Sequence, residues 1–267
     1  MAIHPTALVA KEAQLGADVD VGPFAVIGEG VVVGEGCRIG PHAVLHPGTA
    51  LGARCAVHAH AVIGDTPQDL SFAGVPSRAV IGPDCVLREG VTVHRGTRED
   101  SETVVGRGCF LMANAHVAHN VVLGDRVILA NGTLLGGYVR VGERAFLSGN
   151  CMVHQFVQIG RLAMMGGGSA ATKDLPPFCI VRPLTLNRVA GLNVIGMRRA
   201  GLSPAERRDA RRAFEIVYRS GLNIDQARAR LRETFTGGPG EEFGRFIDTS
   251  ERGLFAAGAL PDNGDEG

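Results

Sequence analysis

Residues 19–34 read Val19-Asp20-Val21-Gly22-Pro23-Phe24-Ala25-Val26-Ile27-Gly28-Glu29-Gly30-Val31-Val32-Val33-Gly34. Within this segment an aliphatic residue recurs every six positions, and a small or β-branched residue stands two positions before each one. A period of six fits neither the roughly 3.6-residue turn of a helix nor the strict alternation of a long strand. We therefore expect short strands separated by tight turns, with both registers facing the interior of the fold.

The period continues far beyond this segment. Between Ile3 and Met165 it defines 28 positions, and only Asp69 and Glu99 among them are neither aliphatic nor Met. Three such units close a triangular coil of about 18 residues, and stacked coils pair their strands in parallel. Residues 3–170 therefore predict a solenoid of roughly nine coils. Glycine often follows the aliphatic residue, and we interpret it there as a residue chosen for backbone freedom.

The composition excludes several classes of protein. The chain has 267 residues, with 27 Lys+Arg against 27 Asp+Glu, and 45% of its residues are hydrophobic. Zero net charge argues against general binding to nucleic acids or membrane surfaces, and the hydrophobic share argues against disorder. No apolar run approaches the roughly 18 residues of a membrane helix, and the N-terminus lacks a signal-peptide pattern. We therefore expect a cytoplasmic protein without stable membrane insertion.

Two segments interrupt the period. Residues 65–80 contain two prolines, and residues 95–103 are polar and charged. Both predict loops that project from the solenoid. Loops held by a rigid scaffold often carry function, and a tolerated surface insertion is the alternative for each.

The C-terminal part follows a different rule. Residues 173–191 are irregular, and Ser203-Pro204-Ala205-Glu206 is a capping box that predicts a helix ending near Gly221. We expect further helices over 224–235 and 241–256, a linker over 237–240 and a frayed tail over 257–267. The predicted domains are therefore a solenoid, residues 1–183, and an α-helical domain, residues 184–267.

The cysteines are expected to pack inside the solenoid. Five of the six cysteines fall on the small inward register, the exception being Cys179, so we expect packing roles for them.

The helical region is rich in arginine. These side chains predict either a solvated helix face or a surface for an acidic protein or a phosphate group. They are Arg198, Arg199, Arg207, Arg208, Arg211, Arg212, Arg219, Arg228, Arg230 and Arg232.

Histidines mark a candidate site. His116 and His119 lie three residues apart in Asn114-Ala115-His116-Val117-Ala118-His119-Asn120, and His94 and His154 lie in similarly distinctive contexts. An imidazole can take a proton near neutral pH, and the Asn120 side-chain oxygen could hold its tautomer. Zinc held between coils by His116 and His119 is the competing hypothesis, but no third histidine has an obvious register with both.

Several motifs together resemble one enzyme family over almost the full length. Besides the repeats and the histidine segment, they are Pro67-Gln68-Asp69-Leu70, Val93-His94-Arg95-Gly96-Thr97, Ile128-Leu129-Ala130-Asn131, Val153-His154-Gln155-Phe156, Asp174-Leu175-Pro176-Pro177-Phe178 and Gly191-Leu192-Asn193-Val194. In these the chain is similar to the UDP-N-acetylglucosamine acyltransferases, hexapeptide-repeat enzymes that begin lipid A biosynthesis. The resemblance implies a left-handed parallel β-helix with a C-terminal α-helical domain, assembled as a homotrimer with sites between subunits. It also implies transfer of a 3-hydroxyacyl chain from acyl carrier protein to the 3-position of the UDP-sugar, without a metal or dissociable cofactor.

The resemblance also implies residue roles. His119 would be the general base, oriented by Asn120, and the Gly137 N–H would bind the oxyanion. Arg199 would clamp a phosphate, and Gly167 would leave the acyl groove open. The arginine-rich helices would face the acidic carrier protein. The nucleotide-sugar and acyl-binding positions are His116, His154, Gln155, Gln68, Asp69, Asn193 and Arg199.

Three positions depart from the family pattern. Asn120 replaces a common Asp, Ser71 a common Lys, and Tyr138 a common His. Because these changes surround the acceptor, they leave open a 3-amino UDP-sugar as acceptor, which would give an amide. Acyl-chain length also stays open. A metal-dependent lyase or a non-catalytic scaffold is the alternative from a different class.

Overall fold

The structure, a computed structural model, describes residues 2–258. Most of this range forms a parallel β-helix whose three faces are sheets A, B and C, with 11, 9 and 8 described strands. This is the predicted left-handed parallel β-helix. The chain passes from A to B to C in each coil, so three kinds of corner arise. The turns that join sheet A to sheet B form the AB corner, and those that join sheet B to sheet C form the BC corner.

The strands are short, with two to four residues each. Sheet A contains Ala2–Ile3, Asp20–Val21, Arg38–Ile39, Ala56–Val57, Val86–Leu87, Phe110–Leu111, Ile128–Leu129, Phe146–Leu147, Met164–Met165, Cys179–Val181 and the antiparallel Gly191–Leu192. Sheet B contains Leu8–Val9, Val26–Ile27, Val44–Leu45, Val62–Asp65, Thr92–His94, His116–Val117, Leu134–Leu135, Met152–Val153 and Ala170–Ala171. Sheet C contains Gln14–Leu15, Val32–Val33, Thr49–Leu51, Arg78–Ile81, Glu102–Val105, Val122–Leu123, Arg140–Val141 and Gln158–Ile159.

Both predicted inward registers form the core. Val21 and Ile27 of the aliphatic register, like Val19 and Ala25 of the small register, are at most 1% exposed. Ile3, in the first coil, is 42% exposed because no coil lies beneath it. All six cysteines are buried free thiols, as a packing role requires.

The glycines that follow the aliphatic residues correct one interpretation. Gly16 and Gly124 do not have positive φ, so backbone freedom is not their reason. A Cβ on Gly16 would lie 2.7 Å from the Glu35 backbone nitrogen, and one on Gly124 would lie 2.7 Å from that of Glu143. Glycine is therefore needed for the close approach of successive coils. The left-handed conformation occurs two residues later in the turn, for example at Asp18 with φ 54°.

Both interruptions of the period leave the solenoid at the BC corner. Residues 66–77 connect Val62–Asp65 of sheet B to Arg78–Ile81 of sheet C. Residues 95–101 make the same connection from Thr92–His94 to Glu102–Val105 in the next coil. The two insertions are therefore stacked along one edge, directly before the coil that carries His119.

Between residues 184 and 258 the chain forms four helices, α1 (Val194–Arg199), α2 (Pro204–Tyr218), α3 (Ile224–Thr234) and α4 (Gly238–Asp248). Helix α2 has the expected capping box, in which Ser203 and Glu206 exchange hydrogen bonds. The division into two domains at residues 183 and 184 stays a prediction. Among residues 2–258, no helix is long and apolar enough to cross a membrane.

The prediction of a linker over 237–240 is wrong, and the helix predicted over 241–256 is present with different bounds. Helix α4 begins at Gly238 because Pro239 lies in its first turn, where the missing N–H costs no hydrogen bond. It ends at Asp248, and the chain returns to pair Ala256–Ala257 with Arg188–Val189. The Gly258 N–H also donates to the Val189 carbonyl at 2.7 Å. The start of the expected frayed tail is therefore bonded, and residues 259–267 lie outside the described range.

The helices cover the C-terminal end of the solenoid. Phe178, Phe243 and Phe255 are fully buried there. The Arg161 guanidinium lies over the Phe178 ring and donates from Nη2 to Glu242 of α4 at 2.7 Å. This end of the core is therefore sealed by aromatic side chains and a bidentate ion pair.

Candidate active site

The candidate site lies on the BC corner, where three successive coils present their turns. His119, Gly137 and Gln155 occupy equivalent positions in these turns, because each residue of one coil pairs with the residue 18 positions later in the next. Asn120, Tyr138 and Phe156 form the adjacent column in the left-handed conformation. The corner therefore places a histidine, a glycine and an amide directly above one another, beside the two inserted loops.

His119 is held from several sides. Its ring is buried, with 8% of the residue exposed. Nδ1 lies 3.1 Å from Asn120 Oδ1, and Nε2 lies 3.9 Å from Asp69 Oδ2. The ring also meets the Tyr138 ring edge-on, with centroids 5.3 Å apart. One ring nitrogen is thus hydrogen-bonded by the protein, and the other faces a carboxylate beyond hydrogen-bond distance.

Gly137 is required by the position of His119. A Cβ on Gly137 would lie 2.5 Å from His119 Nε2, well inside the contact limit. Within the described residues, no acceptor takes a hydrogen bond from the Gly137 N–H, whereas its carbonyl accepts from Phe156 at 3.0 Å. The glycine therefore leaves room for the imidazole and keeps an unused N–H beside it.

Asn120 is at the centre of a small network. Its Oδ1 accepts from the Thr97 backbone N–H at 3.0 Å and from the Thr97 hydroxyl at 2.9 Å. Its own N–H donates to Thr103 Oγ1 at 2.7 Å. Thr97 Oγ1 also lies 2.9 Å from the Tyr138 hydroxyl, so Thr97 connects Tyr138 to Asn120.

The loop over residues 66–77 contributes Asp69. Its Oδ1 accepts from the Ser71 backbone N–H at 2.9 Å and from the Ser71 hydroxyl at 2.7 Å. These hydrogen bonds, aided by the nearby His119, hold the pKa of the Asp69 carboxyl below its usual range. Ser71, which stands where the family commonly has Lys, thus fixes the carboxylate rather than supplying a positive charge. Gln68 is exposed beside it.

His116 lies in the sheet B strand that precedes His119, and it is uncharged at neutral pH. Its Nδ1 is 2.7 Å from Thr92 Oγ1, and its ring meets that of His94 edge-on at 5.1 Å. Burial, with the neighbouring His94 and His119, lowers the pKa of His116 to about 4. Burial is also the main cause of the lowered pKa of His94, which is 6% exposed and whose Nδ1 has no described hydrogen-bond partner. A neutral His116 can either donate or accept a hydrogen bond.

The rim of the corner is more open. The Tyr138 ring stacks on Phe156 with centroids 5.0 Å apart, and Phe156 is 48% exposed. His154 and Gln155 are exposed, and His154 Nδ1 lies 3.2 Å from the Arg252 guanidinium. These side chains therefore form a partly apolar wall next to His119.

Three residues that were expected at the site lie away from His119 in the folded chain. Gly167 is in a turn of the AB corner, close to the Gly149 carbonyl. Asn193 and Arg199 line a cavity of about 830 Å³ on the face of sheet A, beside Phe146 and Met164. Asn193 caps helix α1 by accepting from the Gly196 N–H at 2.9 Å. A single chain therefore does not bring these residues to His119.

Sequence reasoning missed several residues at the corner. Thr97 and Thr92 contact predicted site residues, yet neither was expected to have a role. His94 was noted among the histidines of the candidate site but was given no role. For Thr97 the only hint was its place in a motif that signalled the family. Thr92 and Phe156 meet their partners only through the stacking of coils, so knowledge of the register was needed. Within residues 2–258, no group of three or more His, Cys, Asp or Glu could hold a metal ion.

Family models match most of the chain in sections. Residues 174–255 match the model described as Udp N-acetylglucosamine O-acyltransferase, domain 2. Residues 102–137 match bacterial transferase hexapeptide repeats, and residues 1–98 match a GMPPB C-terminal domain.

Similar proteins cover nearly the whole chain. An acyl-[acyl-carrier-protein]–UDP-N-acetylglucosamine O-acyltransferase of Halorhodospira halophila is 43% identical over 94% of this chain and 98% of its own length. A solved UDP-N-acetylglucosamine acyltransferase of Francisella novicida is 32% identical, with a TM-score of 0.91, and covers 96% of this chain and 94% of its own. One from Bacteroides fragilis is 35% identical, with a TM-score of 0.87, over 94% of this chain and 99% of its own.

Proposed function

This chain belongs to the UDP-N-acetylglucosamine O-acyltransferase family, and we propose that it performs that family's reaction with His119 as the general base. The acyl chain would pass from acyl carrier protein to the 3-hydroxyl of UDP-N-acetylglucosamine, as in the first step of lipid A biosynthesis. The observation that carries the proposal is the arrangement of His119, with one nitrogen bonded to Asn120 and the other facing the open corner beside Gly137. The 3-amino acceptor and the lyase or scaffold alternatives are not favoured by these relatives.

The mechanism follows from these contacts. His119 Nε2 removes the proton of the sugar 3-hydroxyl, and the oxygen attacks the thioester carbonyl. The Gly137 N–H is placed to donate a hydrogen bond to the developing oxyanion, an interaction typically worth about 3 kcal/mol. Collapse of the intermediate forms the ester and releases the carrier-protein thiolate, which takes the proton back from the imidazolium.

Asp69 would stabilise the imidazolium formed during this step. Its Oδ2 lies 3.9 Å from His119 Nε2, and its lowered pKa keeps it ionised at neutral pH. Asn120 lacks the charge of the carboxylate that the family commonly has there. We therefore assign the charge compensation in this chain to Asp69 and the orientation of the ring to Asn120. His116, which is neutral, would hydrogen-bond the substrate.

The homotrimer is proposed because one chain holds only part of the site. Asn193, Arg199 and Gly167 lie on sheet A or the AB corner, away from His119. If the BC corner of one copy packs against sheet A of another, Arg199 and Asn193 would reach the nucleotide whose sugar lies at His119. The apolar cavity beside Phe146 and Met164 then adjoins the acyl chain.

Only part of the arginine-rich surface is assigned here to the contact with acyl carrier protein. Arg228, Arg230 and Arg232 of α3 already form ion pairs with carboxylates. Arg208 and Arg211 of α2 are exposed and have no ion pair with a described carboxylate. We therefore assign the contact with the acidic carrier to α2. R208E with R211E would raise the KM for acyl carrier protein and leave the KM for the UDP-sugar unchanged, while R230E with R232E, on α3, serves as the charge-matched control.

Acyl transfer from 3-hydroxyacyl carrier protein to UDP-N-acetylglucosamine tests the function directly. We expect transfer by the purified chain and a loss of at least about 10²-fold in kcat for His119→Ala, since general-base catalysis typically contributes that much. Full activity of His119→Ala would contradict the mechanism. Absence of transfer by the unaltered chain would contradict the function. The cytoplasmic location stays a prediction.

A further inference from the structure

Four residues from three separate parts of the chain form one hydrogen-bonded series at the BC corner. The Tyr138 hydroxyl lies 2.9 Å from Thr97 Oγ1, which lies 2.9 Å from Asn120 Oδ1, which lies 3.1 Å from His119 Nδ1. Thr97 comes from the inserted loop over residues 95–101, whereas His119 and Tyr138 come from successive coils. The series therefore exists only in the folded protein.

The direction of each hydrogen bond can be assigned. The Thr97 backbone N–H can only donate, and it contacts the same Asn120 atom at 3.0 Å, so that atom must be the amide oxygen. Thr97 has a single hydroxyl hydrogen, which it donates to Asn120. The bond between Thr97 and Tyr138 must then be donated by the tyrosine hydroxyl.

These directions determine the tautomer of His119. The Asn120 oxygen has only lone pairs to offer, so His119 Nδ1 must carry the hydrogen in their contact. His119 Nε2 then has the free lone pair. The Asp69 oxygen facing Nε2, at 3.9 Å, is too distant to hold a hydrogen there. In the resting protein, His119 is therefore already in the tautomer that a general base needs.

A neutral amide needs this support more than a carboxylate does. The two ends of an asparagine amide differ, and a flipped Asn120 would direct its NH2 group at His119 Nδ1. Nδ1 would then become the acceptor, and the hydrogen would move to Nε2, where it blocks proton removal. A carboxylate at the same position offers an oxygen in either orientation. The orientation of the Asn120 amide must therefore be fixed by its other hydrogen-bond partners.

We infer that Thr97, with its hydroxyl oriented by Tyr138, is a positioning residue that fixes the Asn120 amide and thereby the tautomer of His119. This inference rests on the proposed function of His119 as the base. It also links two departures from the family pattern, because the Tyr138 hydroxyl supports the threonine on which Asn120 depends. One substitution removes a charged partner of His119, and the other supplies the hydrogen bond that makes a neutral partner sufficient.

Thr97→Val is the central test, since it removes the hydroxyl and keeps the branched shape and the backbone N–H. We expect kcat to fall roughly tenfold with an unchanged KM for the UDP-sugar, and Thr97→Ser to restore it. Tyr138→Phe, which keeps the ring contacts, should lower kcat by about threefold. In the Asn120→Asp background, a carboxylate offers an oxygen to His119 in either orientation. Thr97→Val should therefore lower kcat by less than about twofold there.

The tautomer can be measured without turnover. In the resting protein labelled with ¹⁵N-histidine, the His119 signals, identified by their loss in His119→Ala, should report hydrogen on Nδ1. Thr97→Val should shift hydrogen toward Nε2. An equal loss of kcat in the Asn120 and Asn120→Asp backgrounds, or an unchanged tautomer in Thr97→Val, would overturn the inference. Full activity of His119→Ala would instead overturn the proposed base, whatever the tautomer shows.

Discussion

Single atoms decide the geometry at the corner. The imidazole of His119 occupies the volume that a side chain at position 137 would need, and the carboxylate of Asp69 is held by two hydrogen bonds from Ser71. The 18 residues between His119 and Gly137 equal one predicted coil, so spacing implies their stacking but not that the imidazole fills the space beside the glycine. The hydrogen bonds to Asp69 depend on the path of an inserted loop, which spacing does not predict.

Gly137→Ala should be among the most damaging small substitutions. The added methyl group would lie 2.5 Å from His119 Nε2, so the imidazole must move. We expect kcat to fall by at least about tenfold and the free energy of unfolding to fall by about 1–3 kcal/mol, as in other overpacked sites. Steady-state kinetics and denaturant unfolding measure the two effects. In the His119→Ala background the stability loss should largely disappear, and persistence of the full loss would contradict the assigned clash.

The lowered pKa of His116 predicts how stability depends on pH. In the unfolded chain this histidine takes a proton near its ordinary pKa of 6.5, but in the folded protein it does so only near about 4. Between these values the unfolded state binds more protons, so stability falls as the pH falls, by at most about 1.4 kcal/mol per pH unit for one histidine. His94, whose pKa is also lowered, acts in the same direction.

Chemical unfolding of the unaltered chain and of His116→Gln between pH 7 and pH 4 would test this. The variant should lose stability less steeply over that range, because it has one fewer group to protonate on unfolding. Parallel curves for the two proteins would contradict the assignment. A surface histidine substitution, His42→Gln, provides the control for a general effect of losing a histidine.

At the scale of elements, the sequence predicted what is periodic. The six-residue repeat predicted the strands and both buried registers, and the capping box predicted the start of α2. The boundaries of α4 were missed because Gly-Pro-Gly is typical of a linker. In the folded protein the same residues form a first helical turn, since Gly240 lies against the Phe235 ring. A contact with a residue outside the helix therefore overrides the local signal.

The two glycines within α4 should respond oppositely to alanine. A Cβ on Gly240 would lie 2.6 Å from Phe235 Cε1, whereas one on Gly244 would make an ordinary contact of 3.6 Å with Leu231 Cβ. We expect Gly240→Ala to lower the free energy of unfolding by about 1–3 kcal/mol. Gly244→Ala should raise it by about 0.5–1 kcal/mol through helix propensity. Thermal and denaturant unfolding would compare them, and equal effects would contradict the assigned packing.

At the scale of the whole molecule, one buried carboxylate joins the end of the solenoid to the last part of the chain. Asp174 is fully buried and accepts from the Gln158 N–H and the Ser250 hydroxyl, each at 2.7 Å. Its own N–H donates to the Gly253 carbonyl at 2.8 Å. The sequence marked Asp174 only as part of a family motif. Its structural role became visible once residues 174 and 250–255 were seen together.

Asp174→Ala should therefore loosen the C-terminal segment. Hydrogen bonds to a charged group are worth about 1.5–3 kcal/mol each, and several donors would be left unpaired. We expect a clear loss of unfolding free energy and faster hydrogen exchange at residues 250–258. Asp174→Asn, which keeps one acceptor, should lose less. Unchanged exchange in that segment would contradict the proposed connection.

The proposed trimer predicts complementation between inactive variants. His119→Ala and Arg199→Ala should each be nearly inactive alone. If each site takes His119 from one copy and Arg199 from its neighbour, co-refolding equal amounts should restore about a quarter of the unaltered activity, since one interface in four combines two intact residues. Activity no greater than that of the separate variants would contradict sites shared between copies.

The stacking of both inserted loops on one edge has a consequence for how such a molecule can diversify. Inward-facing positions tolerate little change, and the other two edges keep the six-residue rhythm through these coils. The BC corner alone accepts extra length, and it does so without altering the strands above or below. New specificities could therefore be built by exchanging the segments over 66–77 and 95–101 as modular parts. The solenoid would serve as a constant scaffold, and the loops along the BC corner would determine which substrate the protein binds.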